Sequence, residues 1–408
     1  MRAISRDEDE VLEAASAAPM TDRVLQWAAI GSGSRNLPGL AAMASTLADA
    51  FAALPGEVTL AAPAPVEAVD ASGTVRAIEH GHHLIVRVRP EAATRILLTG
   101  HMDTVFGVDD PFRESRWIAP GMLNGPGTAD MKGGIALMLA ALAAIERHPD
   151  GRMLGYDVLI NSDEEVGSPS SAALIARLAQ GKAAALTYEP ALPDGTLAGA
   201  RAGSGNFSII VTGRSAHAGR NPQDGRNALV AAADIALRLA AGSPGVGEDG
   251  SGFTCNPARI DGGGPNNVVP DHAVLRVNFR PRTPDDVMAA QALVDRVIAE
   301  VAQVHDVAVH CHGGFGRPPK PMDAGSTRLF GLVKDCGAAL GLPIGWRDTG
   351  GVCDGNNIAA CGIPVVDTMG ARGGSIHSAE EFLIVESLAE RARLSALTMI
   401  RIAQGGMA

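Results

Sequence analysis

Two histidines and a set of carboxylates occupy positions from which a hydrolytic centre could be assembled. His101-Met102-Asp103 follows one apolar run, Asp163-Glu164-Glu165 a second and Glu189 a third. Asp130 sits in Gly127-Thr128-Ala129-Asp130-Met131-Lys132-Gly133-Gly134 ahead of a helical segment, and His377 lies in a late loop. Taken singly each is commonplace, since Asp is a good helix cap and paired glutamates usually mark a solvated turn. Together they are not. Asp103, Asp130, Glu164, Glu165 and Glu189 would bring five potential negative charges into a small, partly dry volume, which is strongly destabilising unless protons or cations offset them. The two imidazoles favour a borderline-soft cation such as zinc over magnesium. One bridging aspartate, with a histidine and a glutamate on each of two zinc ions, gives three protein ligands per metal and leaves positions open for a shared water.

For these residues to meet, strand ends must lie side by side. Apolar runs at Arg95 to Thr99, Asp157 to Asn161 and Ala183 to Tyr188 alternate with helical patterns, the chief one opened by Gly133-Gly134 and running to about His148. This alternation predicts an α/β fold with a mostly parallel sheet, in which ligands bind beyond the carboxyl ends of the strands. Composition shifts at Arg201-Ala202-Gly203-Ser204-Gly205, which reads as a hinge. Beyond it come a strand (Phe207 to Thr212), a helix (Asn227 to about Ala241), a strand (Val274 to Phe279) and a helix (Pro284 to about Val304). That order predicts a smaller α+β insert of ferredoxin-like type ending near Gly313-Gly314-Phe315-Gly316. The domains expected are therefore a discontinuous α/β unit over 1–202 and 317–408 and an insert over 203–316. Ile363 to Thr368 is expected as a further strand and Glu386 to Ala403 as a final amphipathic helix.

Composition narrows the partners. A chain of 408 residues exceeds one compact core, in keeping with two domains. Its 34 basic against 45 acidic side chains leave a net charge of −11, and only 3% of residues are aromatic, which argues against a nucleic-acid or anionic membrane partner. Five cysteines without a Cys-x-x-Cys pair suit reduced thiols, and the charged start Met1 to Glu10 lacks the apolar core of a secretory signal, so a cytoplasmic location is expected. The richest apolar stretch, Ile135 to Ile145, is too short to span a bilayer. Neither Gly31-Ser32-Gly33-Ser34 nor Gly262-Gly263-Gly264, followed by Pro265, has the pattern of a nucleotide-binding loop.

Five ordered motifs carry a resemblance over nearly the whole chain from about residue 20. Gly100-His101-Met102-Asp103-Thr104-Val105, Asp130-Met131-Lys132-Gly133-Gly134, Asp163-Glu164-Glu165-Val166-Gly167-Ser168, Tyr188-Glu189-Pro190 and Ser215-Ala216-His217-Ala218-Gly219 together resemble the dinuclear zinc family of glutamate carboxypeptidase, acetylornithine deacetylase and the aminoacylases, especially the bacterial folate-cleaving type. The resemblance implies two zinc ions per subunit, with cobalt or manganese as substitutes. His101 and Glu189 would complete one site, Glu165 and His377 the other, and Asp130 would bridge. It further implies a cis peptide at Asp130-Met131, Asp103 as the carboxylate behind His101, and Glu164 as general base and then acid. The insert becomes a lid and dimerisation domain, and the protein a homodimer in which His217 reaches the other subunit's site to stabilise the oxyanion. Asn267 and Arg280 would bind a substrate carboxylate, and Arg317 a glutamyl side chain or the domain junction.

The loop Thr349-Gly350-Gly351-Val352-Cys353-Asp354-Gly355 departs from the folate-cleaving pattern at Val352-Cys353, where that pattern has Gly and a hydroxyl residue. Gly370 to Ile376, glycine-rich, reads as a mobile segment ahead of His377. The leading expectation is a dinuclear zinc hydrolase acting on a small peptide or N-acyl amino acid, cleaving the amide bond to an amino acid with a free α-carboxylate. A deacylase of the acetylornithine or succinyl-diaminopimelate kind is the rival. A non-catalytic amino-acid-binding protein would be expected to have lost ligands or base, and here His101, Asp130, Glu164, Glu165, Glu189 and His377 are intact.

Overall fold

A computed structural model describes residues 3–248 and 250–407; Met1 and Arg2 of the charged amino-terminal segment lie outside them. The central six-stranded sheet runs in the order Glu57–Ala61, His83–Val88, Gly155–Asn161, Arg95–His101, Ala184–Thr187, Val365–Val366. The first two pairings are antiparallel and the remaining three parallel. The inner parallel strands are continuous runs of buried residues, as expected where helices cover both faces.

One face is covered by the Gly133–Ile145 helix, whose sequence Gly-Gly-Ile-Ala-Leu-Met-Leu-Ala-Ala-Leu-Ala-Ala-Ile has no polar side. An all-apolar helix must be enclosed, and here Arg6–Ser16, Met20–Ala28 and Glu386–Ala403 pack around it. The stretch Thr128–Ile145, long and apolar enough to cross a membrane, is thus a core helix, 94% buried. On the opposite face Ala172–Ala179 and Asp354–Ala359 pack Leu174, Ile175, Leu178 and Ile358 against Leu97, Leu159 and Ala185.

The chain leaves this body after Arg201 and returns at Arg317. In between, Ser204–Thr212, Gly252–Gly262, His272–Pro281 and Ala308–Arg317 form an antiparallel sheet with the helices Ala228–Gly242 and Pro284–His305, the βαββαβ order of a ferredoxin-like fold, around a separate core of Phe207, Ile209, Ile235, Phe279 and Val294. Two of these strands were not expected. Gly252–Gly262 carries Pro257 and lies toward the sheet edge, where a missing N–H is tolerated. Ala308–Arg317 turns Val309, Cys311 and Phe315 to the core, but Gly313 interrupts that alternation and two histidines and three glycines in all dilute its apolar signal. The expected hinge is a paired neck: Arg201 ends a strand that runs parallel to Trp346–Thr349, Arg201 and Lys320 exchange both main-chain hydrogen bonds, and Ser204 pairs with Arg317. The expected strand at Ile363 to Thr368 shrinks to Val365–Val366.

A two-stranded hairpin, Val66–Val69 with Val75–Ile78, leans from the α/β body onto the insert, where Arg276 donates to the Asp70 carbonyl at 2.9 Å.

Gly134 shows how tightly the core helix sets the strand ends. A Cβ there would collide with the carbonyl oxygen of Tyr188, the residue before Glu189. Gly134→Ala is expected to destabilise the fold by about 1–3 kcal/mol, the usual cost of overpacking, readable as a lowered denaturation midpoint; an unchanged midpoint would mean that the strand yields.

Candidate metal centre

Each predicted ligand arrives from a different element. His101 is the last residue of Arg95–His101, Glu165 lies in the single turn Glu164–Val166 after Gly155–Asn161, and Glu189 follows Ala184–Thr187 by two residues. Asp130 comes from the turn Thr128–Lys132 that enters the core helix, its peptide bond to Met131 being cis. His377 stands in a loop with φ +64°, a conformation that costs about 1–3 kcal/mol for a non-glycine residue and persists where surroundings enforce it.

Their side chains meet. His101 Nε2 lies 3.1 Å from Asp130 Oδ1 and 3.8 Å from Glu189 Oε2, while His377 Nε2 lies 3.3 Å from Asp130 Oδ2 and 3.2 Å from Glu165 Oε2. Asp130 therefore faces both imidazoles, one through each oxygen, and each imidazole has its own glutamate. Ligand atoms of His101, Asp130 and Glu165 lie within 4.8 Å of one another, as do those of His101, Glu164 and Glu189. Nitrogen and carboxylate donors so disposed suit two borderline cations.

Behind the ligands, Asp103 does more than back His101. The Nδ1 of His101 is 3.0 Å from the Asp103 carbonyl and 3.4 Å from its carboxylate. That carboxylate also accepts hydrogen bonds from Ser34 Oγ (2.7 Å) and from the main-chain N–H groups of Glu164 and Glu165, both at 3.2 Å. One buried acid thus orients a ligand of one site and the turn that presents a ligand of the other. Glu164 is buried, with Oε1 2.7 Å from Arg317 Nη1.

The charges perturb one another. Burial lowers the basicity of His101, but the charge of Glu189 and hydrogen bonds to Asp103, Asp130 and Glu189 raise it well above the usual imidazole range. Hydrogen bonds to Asp130 and Glu165 hold His377 up to about 10. Burial raises Glu165 to about 8 and also lifts Glu164 and Glu189, whereas Asp130, buried too, is pulled down by its two imidazoles.

Two hollows adjoin the cluster and share Glu164, Glu165, Gly351, Val352 and His377. One, of about 330 Å³, is walled by Leu192, Leu197, Val352, Cys353, Arg201 and Arg347. The other is a cleft of about 940 Å³ between body and insert, lined by Arg280, Arg317, Asn278 and the hairpin residues Val66 to Val69. Arg280 faces this cleft. Arg317, also on the cleft wall, is 4% exposed, and its guanidinium holds Glu164 Oε1, the Glu164 carbonyl (2.9 Å) and Ser168 Oγ (2.9 Å) and approaches Asp354 (3.4 Å), contacts that lie at the junction of body and insert. His217 and Asn267 line neither hollow. They share an exposed corner of the insert, where Ala218 N–H donates to the Asn267 carbonyl at 2.9 Å. His217 Nδ1 accepts the N–H groups of Gly219 and Arg220, which leaves the proton of the neutral ring on outward Nε2. The glycines of Gly370 to Gly374, read as marks of mobility, serve close contact: Gly370 abuts the Tyr188 and Glu189 carbonyls, and Gly373–Gly374 pairs with Phe382–Ile384.

Sequence reasoning missed Glu381, Asn124 and the buried Arg201, Lys320, Asp367 group, in which Arg201 Nε and Lys320 Nζ lie 2.6 and 2.8 Å from Asp367 Oδ2. Glu381 stands four residues after His377 in an acidic run that looks like solvated surface.

The fold and this cluster define a metal-dependent hydrolase, and the chain belongs to peptidase family M20/M25/M40, whose sequence profile matches residues 97–401. It is 28% identical over 335 residues, 80% of this chain and 78% of the other, to carboxypeptidase G2 of Pseudomonas sp. (strain RS-16). It is also 28% identical over 306 residues, 72% of this chain and 78% of the other, to the succinyl-diaminopimelate desuccinylase of Nitrosomonas eutropha. Among solved structures, the M20 metallo-carboxypeptidase of Sulfolobus solfataricus shares the fold with TM-score 0.72 and 15% identity over 95% of this chain and 99% of that one.

Only neutral imidazoles ligate a metal. With His101 and His377 holding protons at neutral pH in the metal-free chain, zinc binding at about pH 7 is expected to expel protons, and apparent affinity to rise with pH until His377 titrates. Calorimetry in buffers of different ionisation enthalpy reads this directly; a heat independent of buffer would contradict it.

Proposed function

We propose that this chain is a dinuclear zinc hydrolase that cleaves the amide bond joining an acyl or peptidyl group to an amino acid with a free α-carboxylate, glutamate or aspartate before others. The observation that carries the reading is Asp130 set between His101 and His377, with Glu189 and Glu165 beside them. His101, Asp130 and Glu189 would hold one ion, and Glu165, Asp130 and His377 the other. When bound, the ions supply Lewis-acid polarisation of a carbonyl and bring the pKa of water toward about 7. The protein's own groups do the rest. Glu164, where the two hollows join, takes the proton of the attacking water and returns it to the leaving nitrogen. Burial raises its proton affinity toward that of such a shuttle. Arg280 receives the α-carboxylate through its planar fork, in the cleft that Glu164 also lines.

His217 and Asn267 lie outside both hollows of their own subunit, which supports their acting from a second copy: we propose a homodimer through the insert, with Nε2–H of His217 donated to the oxyanion of the partner's substrate. Five cysteines without a disulfide support residence in the reducing cytoplasm. A second reading, a deacylase for acyl groups that end in a carboxylate, is favoured by Arg347 on the wall of the smaller hollow, next to the ion-paired Arg201.

A panel of N-acyl and peptidyl glutamates, assayed with and without chelator, tests the proposal. Hydrolysis is expected to vanish with chelator and return with zinc; chelator-resistant turnover contradicts it. Glu164→Gln is expected to lower kcat by about 10²–10⁴-fold while leaving zinc bound. Mixing inactive Glu164→Gln and His217→Ala subunits should restore activity if His217 works across the dimer. The ratio of kcat/KM for aromatic against succinyl-type acyl groups decides between the two readings.

A further inference from the structure

We infer that Glu381 is a positioning residue for the metal centre, whose buried carboxylate ties the loop presenting Asp130 to the loop presenting His377. The inference rests on the dinuclear reading and adds how its bridging ligand is held. Glu381 is fully buried. Its Oε1 accepts the main-chain N–H of Ala129 at 2.9 Å and of Asp130 at 3.0 Å, and its Oε2 that of Gly127 at 3.0 Å. Burial pushes its proton affinity up, and the three donors converging on it offset part of that cost, since hydrogen bonds to a charged acceptor are the strong ones. A buried cation, Lys132, stands near enough for its own basicity to be affected by Glu381.

The bonded groups, those of Gly127, Ala129 and Asp130, all lie in the turn that aims the bridging carboxylate. One of them is the N–H of Asp130 itself, so Glu381 fixes the main chain from which that side chain projects toward both imidazoles. Glu381 also lies four residues after His377, in the same loop. The two loops leave a common base, where Phe382–Ile384 pairs antiparallel with Met122–Asn124. Above that base Asn124 Nδ2 donates to the carbonyls of Ala379 (3.0 Å) and Glu381 (2.7 Å). A strand pair, a side-chain amide and a carboxylate thus join in sequence the loops carrying two ligands that are 247 positions apart in the chain.

The test uses the full chain, wild type against Glu381→Gln and Glu381→Ala, stripped of metal and checked for folding by circular dichroism. Each is titrated with Zn²⁺ against a chromophoric chelator, and the absorption spectrum of the Co²⁺-loaded protein is recorded. Loss of an outer partner of a metal ligand typically costs about 10–100-fold in affinity, and a loss of that size is expected for Glu381→Ala. Glu381→Gln, which retains one acceptor, should fall between it and wild type, and the Co²⁺ spectrum should shift in both. If Glu381→Ala does not fold, the isosteric Glu381→Gln carries the comparison. A folded variant with wild-type zinc affinity and an unchanged Co²⁺ spectrum overturns the inference even if its melting temperature drops, because a purely structural role predicts that result. A wild-type chain that takes up neither ion overturns the dinuclear reading, and the positioning role with it, so the two failures are distinguishable.

Discussion

Charge crowding at one end of a sheet is the constraint on which the rest of this structure depends. Asp103, Asp130, Glu164, Glu165 and Glu189 converge where water is largely excluded, and they are offset unequally. Asp103 is covered by a serine hydroxyl and two amides, Asp130 by two imidazoles, and Glu164 by Arg317. Glu165 and Glu189 are left leaning on one histidine each, and burial raises the proton affinity of both. A site whose proton affinity is high without metal must give up protons to take up cations, so proton and cation compete for the same acids and imidazoles.

The topology supplies the convergence. Parallel strands order their carboxyl ends along one edge, so residues 101, 165 and 189 become neighbours without any local sequence relation. The all-apolar helix behind the sheet then fixes where those ends lie. Gly100 and Gly134 allow it close approach: side chains there would press on Met131 and on the Tyr188 carbonyl. Packing and ligand placement are therefore one problem, and the glycines near the site answer to close approach more than to flexibility.

That the expected ligands would meet was legible in the sequence, because histidine and acidic residues follow successive apolar strands and their joint burial has few solutions other than metal. The α/β alternation was legible for the same reason, through continuous apolar strands. Hidden were the elements whose apolar signal is diluted: the strand Ala308–Arg317 by its histidines and glycines, and Gly252–Gly262 by Pro257 and its polar residues. Hidden too were the partners of the ligands. Glu381 sits in a sequence context that reads as surface, and only the fold reveals that three amides enclose it. Arg317 was visible as a cation but not as the residue that Glu164 would occupy.

Arg317 also shows why the insert and the chemistry cannot be treated apart. It is the last residue of the insert's last strand, it pairs in register with Ser204 at the neck, and its guanidinium holds both the carboxylate and the carbonyl of Glu164. Arg201, at the other crossing of the neck, is bound to Asp367 beside Lys320, two cations on one buried acid directly behind the smaller hollow. Both passages of the chain between body and insert are thus anchored by arginines whose charges face the cluster. Separating Arg317 from Glu164 would leave one partner of a buried ion pair alone in a dry interior, which is costly. The orientation of Glu164, the proposed base, is for that reason tied to the end of the insert's last strand, on the wall of the cleft that Arg280 and Glu164 share.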